Sequence, residues 1–384
     1  MEKQDKKLKI AVISFDWRNI FENNFDELIQ KLKRDRLNPD FNEFFFISWS
    51  VKKYHKKIKN IETVHFKAFF GWRIFCDLFS DFLVPIILGR HNFKPDIVLV
   101  YDFPLIYSGI FAKIFWGSKI VLFLGNMPSG LVRTRKFPGW RYYYQKSAEF
   151  AGKYFVDQFF VISESTKKYV VDLEINAEKI KIITPDILER DKEFILVSQK
   201  GTIRKKYNIA DDKKILLSVG RLEPEKGFND LLAVFNSLKQ NDLILIVVGE
   251  GSQKDKLIRQ AKDLNMENRI VFAGYQSREN IWNYYQDADI FILLSRSEGL
   301  GLVFWEAMFM GVPVIGTLAG GIKETIGHDG ERGFYWKNDP EDLKNKIDFC
   351  LDKGNNERRF MVERAQEYIR QKLESKTVIN DLLS

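Results

Sequence analysis

The chain has 384 residues, 45 % hydrophobic and 29 % charged, a globular mixture that excludes intrinsic disorder, a collagen-like repeat and a small disulfide scaffold. That length fits two domains of ordinary size. The 60 Lys and Arg against 52 Asp and Glu leave +8, and the excess is one-sided: residues 1–200 carry +9 and residues 201–384 carry −1. Such asymmetry points the first half at something anionic, such as nucleic acid, phospholipid or a phosphorylated substrate. Plain surface solvation is the alternative.

The amino terminus is charged and lacks a long apolar stretch before a small-residue cleavage site, so no secretion signal is expected. Lys9–Phe15 (KIAVISF) is a short β-branched apolar run and reads as a buried strand. Phe21–Lys33 reads as a helix and Asn42–Val51 as a second strand. Lys52, Lys53, Lys56, Lys57 and Lys59 form a basic run. The most apolar stretch, Ala68 to Gly89, is interrupted by Arg73, Asp77 and Asp81, so no membrane span is expected. Those three charges recur every four residues on one helix face, with Phe69, Phe70, Trp72, Phe75, Phe79 and Phe82 around the rest. This amphipathic helix at 69–83 suits packing on a sheet or lying in a membrane interface.

Asp96–Tyr101 and Lys119–Leu124 are further strands, with a helix over Leu105–Trp116 between them. Arg133–Lys146 (RTRKFPGWRYYYQK) interleaves cations with aromatics, which suits nucleic acid, a lipid-phosphate acceptor or an interface. No other feature resembles a nucleic-acid-binding module, so nucleic acid is not an expected partner. Phe159–Ser163 and Lys181–Thr184 continue the strand series. A charge-dense stretch, Asp186–Asp212, then reads as the junction between domains.

The series restarts at Lys214–Val219. Strands at Leu243–Val248, Ile270–Ala273, Ile290–Leu294 and Pro313–Gly316 alternate with helices over Asn229–Lys239, Asp255–Leu264 and Leu302–Met310. Apolar strands alternating with helices of this length indicate parallel sheets covered on both faces. The fold class expected is α/β, with two doubly wound, Rossmann-like domains facing a cleft. The boundaries are placed at residues 1–190 and 191–360, with a terminal helix at about 360–384 packing back on the first domain. The two cysteines, Cys76 and Cys350, read as free thiols, and no Cys/His cluster suggests a metal.

Three segments of the second half carry the chemistry. In Ser218–Gly227 (SVGRLEPEKG) a strand ends, Gly220 turns the chain, and Arg221 and Lys226 follow before a helix. Two cations at a helix entrance suit a diphosphate; a solvated loop is the bland alternative. In Val247–Ser252 the Gly249-x-Gly251 turn is equally consistent with a tight strand-to-helix connection. In Ser295–Gly311 (SRSEGLGLVFWEAMFMG), Glu298 follows the strand. Gly299 and Gly301 let amides approach a ligand, and the helix points its positive end at the same place. Glu306 lies within that helix among Leu302, Val303, Phe304 and Trp305. A carboxylate there can accept hydrogen bonds from a vicinal diol such as a ribose.

SVGRLEPEKGFNDLL, VVGEGSQKDKL, FAGYQSRENI and SRSEGLGLVFWEAMFMGVPVI stand in the order and spacing of the retaining, GT-B-fold glycosyltransferases of family four, the glycosyl transferases group 1. The chain resembles that family over residues 213–335, and less closely over Phe155–Ile183; the likeness is weak over residues 1–150. Glu298-x7-Glu306 is the family's signature spacing. The resemblance implies that Arg221 and Lys226 neutralise the donor's diphosphate, Glu298 sits against the transferred sugar and Glu306 binds the donor ribose. It implies that Gly220 and the amides from Gly299 through Leu300, Gly301 and Leu302 to Val303 hold sugar and phosphate, and that the backbone near Tyr275 reads the base.

Where family members often carry a first-domain histidine, this chain has Asn126 or Asp102, taken as acceptor-side candidates. Its four histidines, 55, 65, 91 and 328, match neither place. The usual Pro-Asn-Gly is Thr184-Pro185-Asp186, and the glycine pair after the first strand is absent from Phe15–Asn24.

The resemblance thus implies a retaining transferase that moves a sugar from a nucleoside diphosphate sugar to a glycan or lipid-linked acceptor. It implies no cofactor beyond the nucleotide sugar and no metal. The expected place is the cytoplasm or the inner face of a membrane. A nucleotide-sugar epimerase, and a non-catalytic subunit binding sugar nucleotide or glycan, are the alternatives.

Overall fold

The computed structural model describes residues 8–13, 43–50, 54–58, 61–67, 83–125, 139–183, 187–238, 240 and 242–374. The helix read at Phe21–Lys33, the Phe-rich helix at 69–83 except for its last residue, and Asn126 lie outside the described residues. The chain divides into two compact units between Asp186 and Ile187, a few residues before the boundary read from the charge-dense stretch.

In the first unit the apolar runs become strands β1 (Lys9–Ile13), β2 (Glu43–Ser50), β5 (Ile97–Tyr101), β6 (Lys119–Leu124), β7 (Gln158–Val161) and β8 (Ile180–Ile182). Two further strands, β3 (Tyr54–Ile58) and β4 (Ile61–Lys67), complete a sheet in the order β3-β4-β2-β1-β5-β6-β7-β8. Ala11 of β1 lies beside Phe45 on one side and Val98 on the other. Every second strand residue enters one core: Ala11 and Ile13, Phe45 and Ile47, Val98 and Val100, Ile120 and Leu122, Phe159 and Val161. Helices Ile106–Trp116 and Gly139–Phe155 cover that face with Ile106, Ile110, Ala148 and Ala151.

The lysine run is an edge strand in part. Strand β3 is antiparallel to β4, with Lys56 opposite Thr63 and Lys57 opposite Glu62, whereas the other pairings in this sheet are parallel. His91 packs its ring edge-on against Phe45 at 5.2 Å, a core role.

The second unit contains β9 (Lys214–Val219), β10 (Leu243–Val248), β11 (Ile270–Gly274), β12 (Ile290–Ile292), β13 (Val314–Gly316) and β14 (Phe334–Tyr335). They form a parallel sheet ordered β11-β10-β9-β12-β13-β14. Helix Phe228–Ser237 buries Phe228, Leu231, Leu232 and Phe235, an i, i+3, i+4, i+7 stripe that follows from its sequence.

Two segments differ from the sequence reading. The charge-dense stretch contains helices Ile187–Val197 and Thr202–Lys206, both packed on helix Arg278–Asp287. The buried carboxylate of Asp287 accepts the backbone N–H groups of Gly201, Ile203 (2.7 Å) and Arg204 (3.2 Å), and so caps the shorter helix. Of the terminal helix read at about 360–384, the described part begins earlier, at Asn356, and as far as Glu374 it falls in the second unit. The cause is helix Leu302–Phe309, in which Phe304, Trp305, Glu306, Ala307 and Met308 are all buried. A helix buried on several sides must be covered on the side away from the sheet. The terminal helix does this with Met361, Ala365 and Ile369, with Tyr368 edge-on to Trp305 at 6.4 Å, and with Gln366 donating to Phe309 O at 3.1 Å.

Candidate functional site

Strand order in the second sheet reverses between β9 and β12: the chain leaves β9 toward β10, and leaves β12 toward β13. In open parallel sheets, ligands bind outside the carboxyl ends of the strands at such a switch point. The loops leaving β9 and β12 there are Gly220–Gly227 and Ser295–Gly301. The Arg296 N–H donates to Glu225 O at 2.8 Å, and the Arg296 guanidinium meets Asp230 at 2.7 Å. Gly227 joins the loops more closely still. Its φ is +69°, and a Cβ there would lie 2.0 Å from Leu294 O, so only glycine fits. The β10 loop is tied to its neighbours, since Leu222 N–H donates to Glu250 O at 2.9 Å and Gly249 N–H to Gly274 O at 2.9 Å.

The charges read from sequence fall in this cluster, but in different states. Lys226 Nζ lies 2.6 Å from Glu298 Oε2, with the two side chains only 13 % and 11 % exposed. Ser295 Oγ donates to the same carboxylate oxygen at 3.2 Å. Arg221 is more exposed and stands 3.5 Å from the buried Glu225 carboxylate. The Lys226–Glu298 pair is therefore preformed, while the Arg221 guanidinium faces solvent. Gly220 stands at the end of β9, where its N–H donates to Val248 O at 3.0 Å.

Gly299, Leu300 and Gly301 are buried in the β12 loop. Gly301, with φ +77°, is the N-cap of helix Leu302–Phe309, and no side chain caps that end. Gly301 thus offers the amides at Leu302 and Val303 no side-chain acceptor at the positive end of the helix, where an anion is favoured. The Tyr275 ring is exposed just beyond β11, and its neighbour Gly274 is bonded into the same loop cluster.

Glu306 is buried and doubly held. Arg278 donates to Oε1 at 2.7 Å and the Tyr285 hydroxyl to Oε2 at 2.7 Å. Arg278 also donates through Nε, at 3.0 Å, and through a terminal nitrogen to Asp191, which is fully buried. Burial would weaken the guanidinium's hold on its proton, but the charges of Glu306 and Asp191 prevail and raise its pKa. Burial first, and then Glu306, push the Tyr285 phenol well above its ordinary value. Each Glu306 oxygen retains a second lone pair with which to accept a ligand hydroxyl. Arg278, Asp191 and Tyr285 were not singled out from sequence. Arg278 lies inside the FAGYQSRENI segment and Asp191 inside the supposed junction, and a separation of 87 residues hid their pairing.

In the first unit the corresponding switch point lies between β1 and β5. Asp102 stands at the end of β5 with φ 71° and ψ 152°, a backbone conformation that costs a non-glycine residue on the order of 1–3 kcal/mol.

These parts define a doubly wound α/β protein of the GT-B fold class, with an anion-suited loop cluster at the switch point of its second sheet. Residues 199–368, most of the second unit, match the family pattern of the glycosyl transferases group 1. The resemblance read from the motifs is thereby borne out.

Among characterised relatives, N-acetyl-alpha-D-glucosaminyl L-malate synthase of Bacillus anthracis is 32 % identical over 181 residues, 46 % of each chain. Alpha-monoglucosyldiacylglycerol synthase of Streptococcus pneumoniae is 32 % identical over 163 residues, 42 % of this chain and 37 % of that one. The matches span about half the length of such relatives or less. Among solved structures, sucrose-phosphate synthase of Thermosynechococcus elongatus superposes with a TM-score of 0.80 at 17 % identity, covering 98 % of this chain and 99 % of that one. No helix among the described residues is long and apolar enough to cross a membrane.

Proposed function

We propose that the protein transfers a sugar, with retention of configuration, from a nucleoside diphosphate sugar to an acceptor hydroxyl. The observation that carries this reading is the preformed Lys226–Glu298 pair, 2.6 Å apart, beside an uncapped helix end at the switch point. On donor binding, Arg221, Lys226 and the amides from Gly299 to Val303 meet the diphosphate, and Glu298 meets the hydroxyls of the sugar. Glu306 accepts the ribose diol, with its plane set by Arg278 and Tyr285. Tyr275 and its backbone stand beside the base.

The bond from the anomeric carbon to the diphosphate then breaks, and the acceptor oxygen bonds to the same face of that carbon. The acceptor's proton passes to the departing phosphate oxygen. Stabilisation of the leaving group carries most of the catalysis, and two cations with a helix end do the work a divalent metal does elsewhere. Asp102, held strained at the first unit's switch point, is the acceptor-side candidate. A lipid-linked or glycolipid acceptor is favoured by the +9 of residues 1–200, since a soluble saccharide needs no basic surface. The relative from Streptococcus pneumoniae is named for a lipid product.

Incubation with labelled nucleotide sugars and membrane extract, followed by separation of free sugar, epimer and transferred product, tests the reading. Transferred product is expected. Epimer alone identifies an epimerase, and binding without turnover a non-catalytic subunit.

A further inference from the structure

Helices Ile106–Trp116 and Gly139–Phe155 lie side by side over the first sheet. The Tyr107 hydroxyl donates to Ser147 Oγ at 2.7 Å near one end, and Lys113 Nζ to Phe155 O at 3.2 Å near the other. Their outward faces carry Ile114, Phe115, Tyr143, Phe150, Tyr154 and Phe155, between 42 % and 73 % exposed. Tyr143, Phe150 and Tyr154 are spaced seven and four apart and so form one stripe on their helix. The Phe150 and Tyr154 rings touch at 5.1 Å. Among the described residues, five of the seven exposed large aromatic side chains lie on this pair of helices, so the patch is not scattered surface.

Charge says what covers it. Residues 106–155 contain eight Lys and Arg and one acidic residue, Glu149. Glu149 is buried under the patch, where it accepts from Gln145, Lys146 and Tyr169. Lys113 and Lys153 are braced at the rim by Asp157 and Glu174. Lys113, Lys146 and Lys153 are thus each paired with a carboxylate, and the excess charge of the segment rests, by sequence, on Lys119, Arg133, Arg135, Lys136 and Arg141. An aromatic stripe within a segment of that net charge matches an anionic bilayer interface, where rings enter the headgroup layer and cations stay at the phosphates. A second copy of the chain would bring like charges together.

We infer that this two-helix face docks the protein on anionic lipid. The inference deepens the lipid-acceptor reading by naming the surface, and it is read on membrane binding alone, whereas the donor site is read on nucleotide binding in solution.

The test is flotation of the full chain with vesicles of phosphatidylcholine containing about one-third phosphatidylglycerol, and with pure phosphatidylcholine vesicles, at low and high salt. The wild type should float with the anionic vesicles at low salt, and less at high salt or with the neutral vesicles. Phe150→Ser/Tyr154→Ser should cut the floating fraction about tenfold. Ile258→Ser, an exposed apolar change on a helix of the second unit, should leave it unchanged. Equal thermal unfolding of the variants shows that they are folded. A wild type that stays with the soluble fraction at low salt, or a double variant that floats as well as the wild type, overturns the inference. So does a dimer that the double variant splits without any vesicle binding.

Discussion

Glu306 is buried, held by Arg278 and Tyr285, and is the acceptor proposed for the donor ribose. Glu306→Ala removes the acceptor proposed for the ribose, and donor affinity should fall by about 1.5–3 kcal/mol, as for a hydrogen bond to a charged group. Calorimetry with the donor nucleotide checks this, and unchanged affinity takes Glu306 out of the site. The same change leaves the buried Tyr285 hydroxyl without its acceptor, so thermal stability should drop as well. Arg278→Met should cost more, about 3–5 kcal/mol, because Asp191 and Glu306 would both be buried without their cation. Denaturant unfolding measures it, and a cost near zero would mean that the three groups do not act as a unit.

Four tyrosines make the unit sensitive to alkali. Burial raises the pKa of Tyr284, Tyr285 and Tyr368, and takes Tyr335 up to about 12. The folded state therefore keeps protons that the unfolded state releases near the ordinary phenol value of about 10. Their stabilisation is complete below that pH and is lost as pH rises above it. Thermal unfolding of the second unit should fall steeply above about pH 10, and absorbance titration should show these phenols ionising only after denaturation. Ionisation of all of them near pH 10 in the folded chain would contradict the burial described.

Among the elements, the continuous apolar runs were legible, because parallel strands buried on both faces carry no polar alternation to confuse them. KILLSV, LILIVV and KIVLFL became β9, β10 and β6 with at most trivial shifts of boundary. Strand β3 was hidden because a run of local charge reads as solvated surface. The helix at Ile187–Val197 was hidden for a related reason. Asp191 sits in the charge-dense LERDKE stretch, and only the fold shows that it is buried. That Arg221, Lys226 and Glu298 stand on strand-end loops was legible because glycines and helix ends mark phosphate-type loops locally. The partners of Glu306 were not, since they come from distant elements. The loop junction gives an element-scale prediction: Gly227→Ala forces a Cβ against Leu294 O and a left-handed backbone. It should destabilise by at least about 1–2 kcal/mol and, by moving Lys226 off Glu298, lower turnover further. Wild-type turnover in a folded Gly227→Ala protein would uncouple that junction from the site.

At the scale of the molecule, the two units divide the chemistry. The second holds the diphosphate-suited cluster, and the first holds the excess charge and the aromatic face. Because two cations and a helix end are assigned to the diphosphate, transfer should survive chelation. Loss of transfer with EDTA, restored by magnesium or manganese, would contradict that mechanism. Arg221 and Lys226 are the residues proposed to receive the diphosphate. Calorimetric binding of a nucleoside and of its diphosphate to wild type and to Arg221→Ala/Lys226→Ala tests this most directly. The diphosphate should lose most of its advantage over the nucleoside in the variant, while nucleoside affinity stays the same. Equal loss for both ligands, or no loss for the diphosphate, would contradict the account.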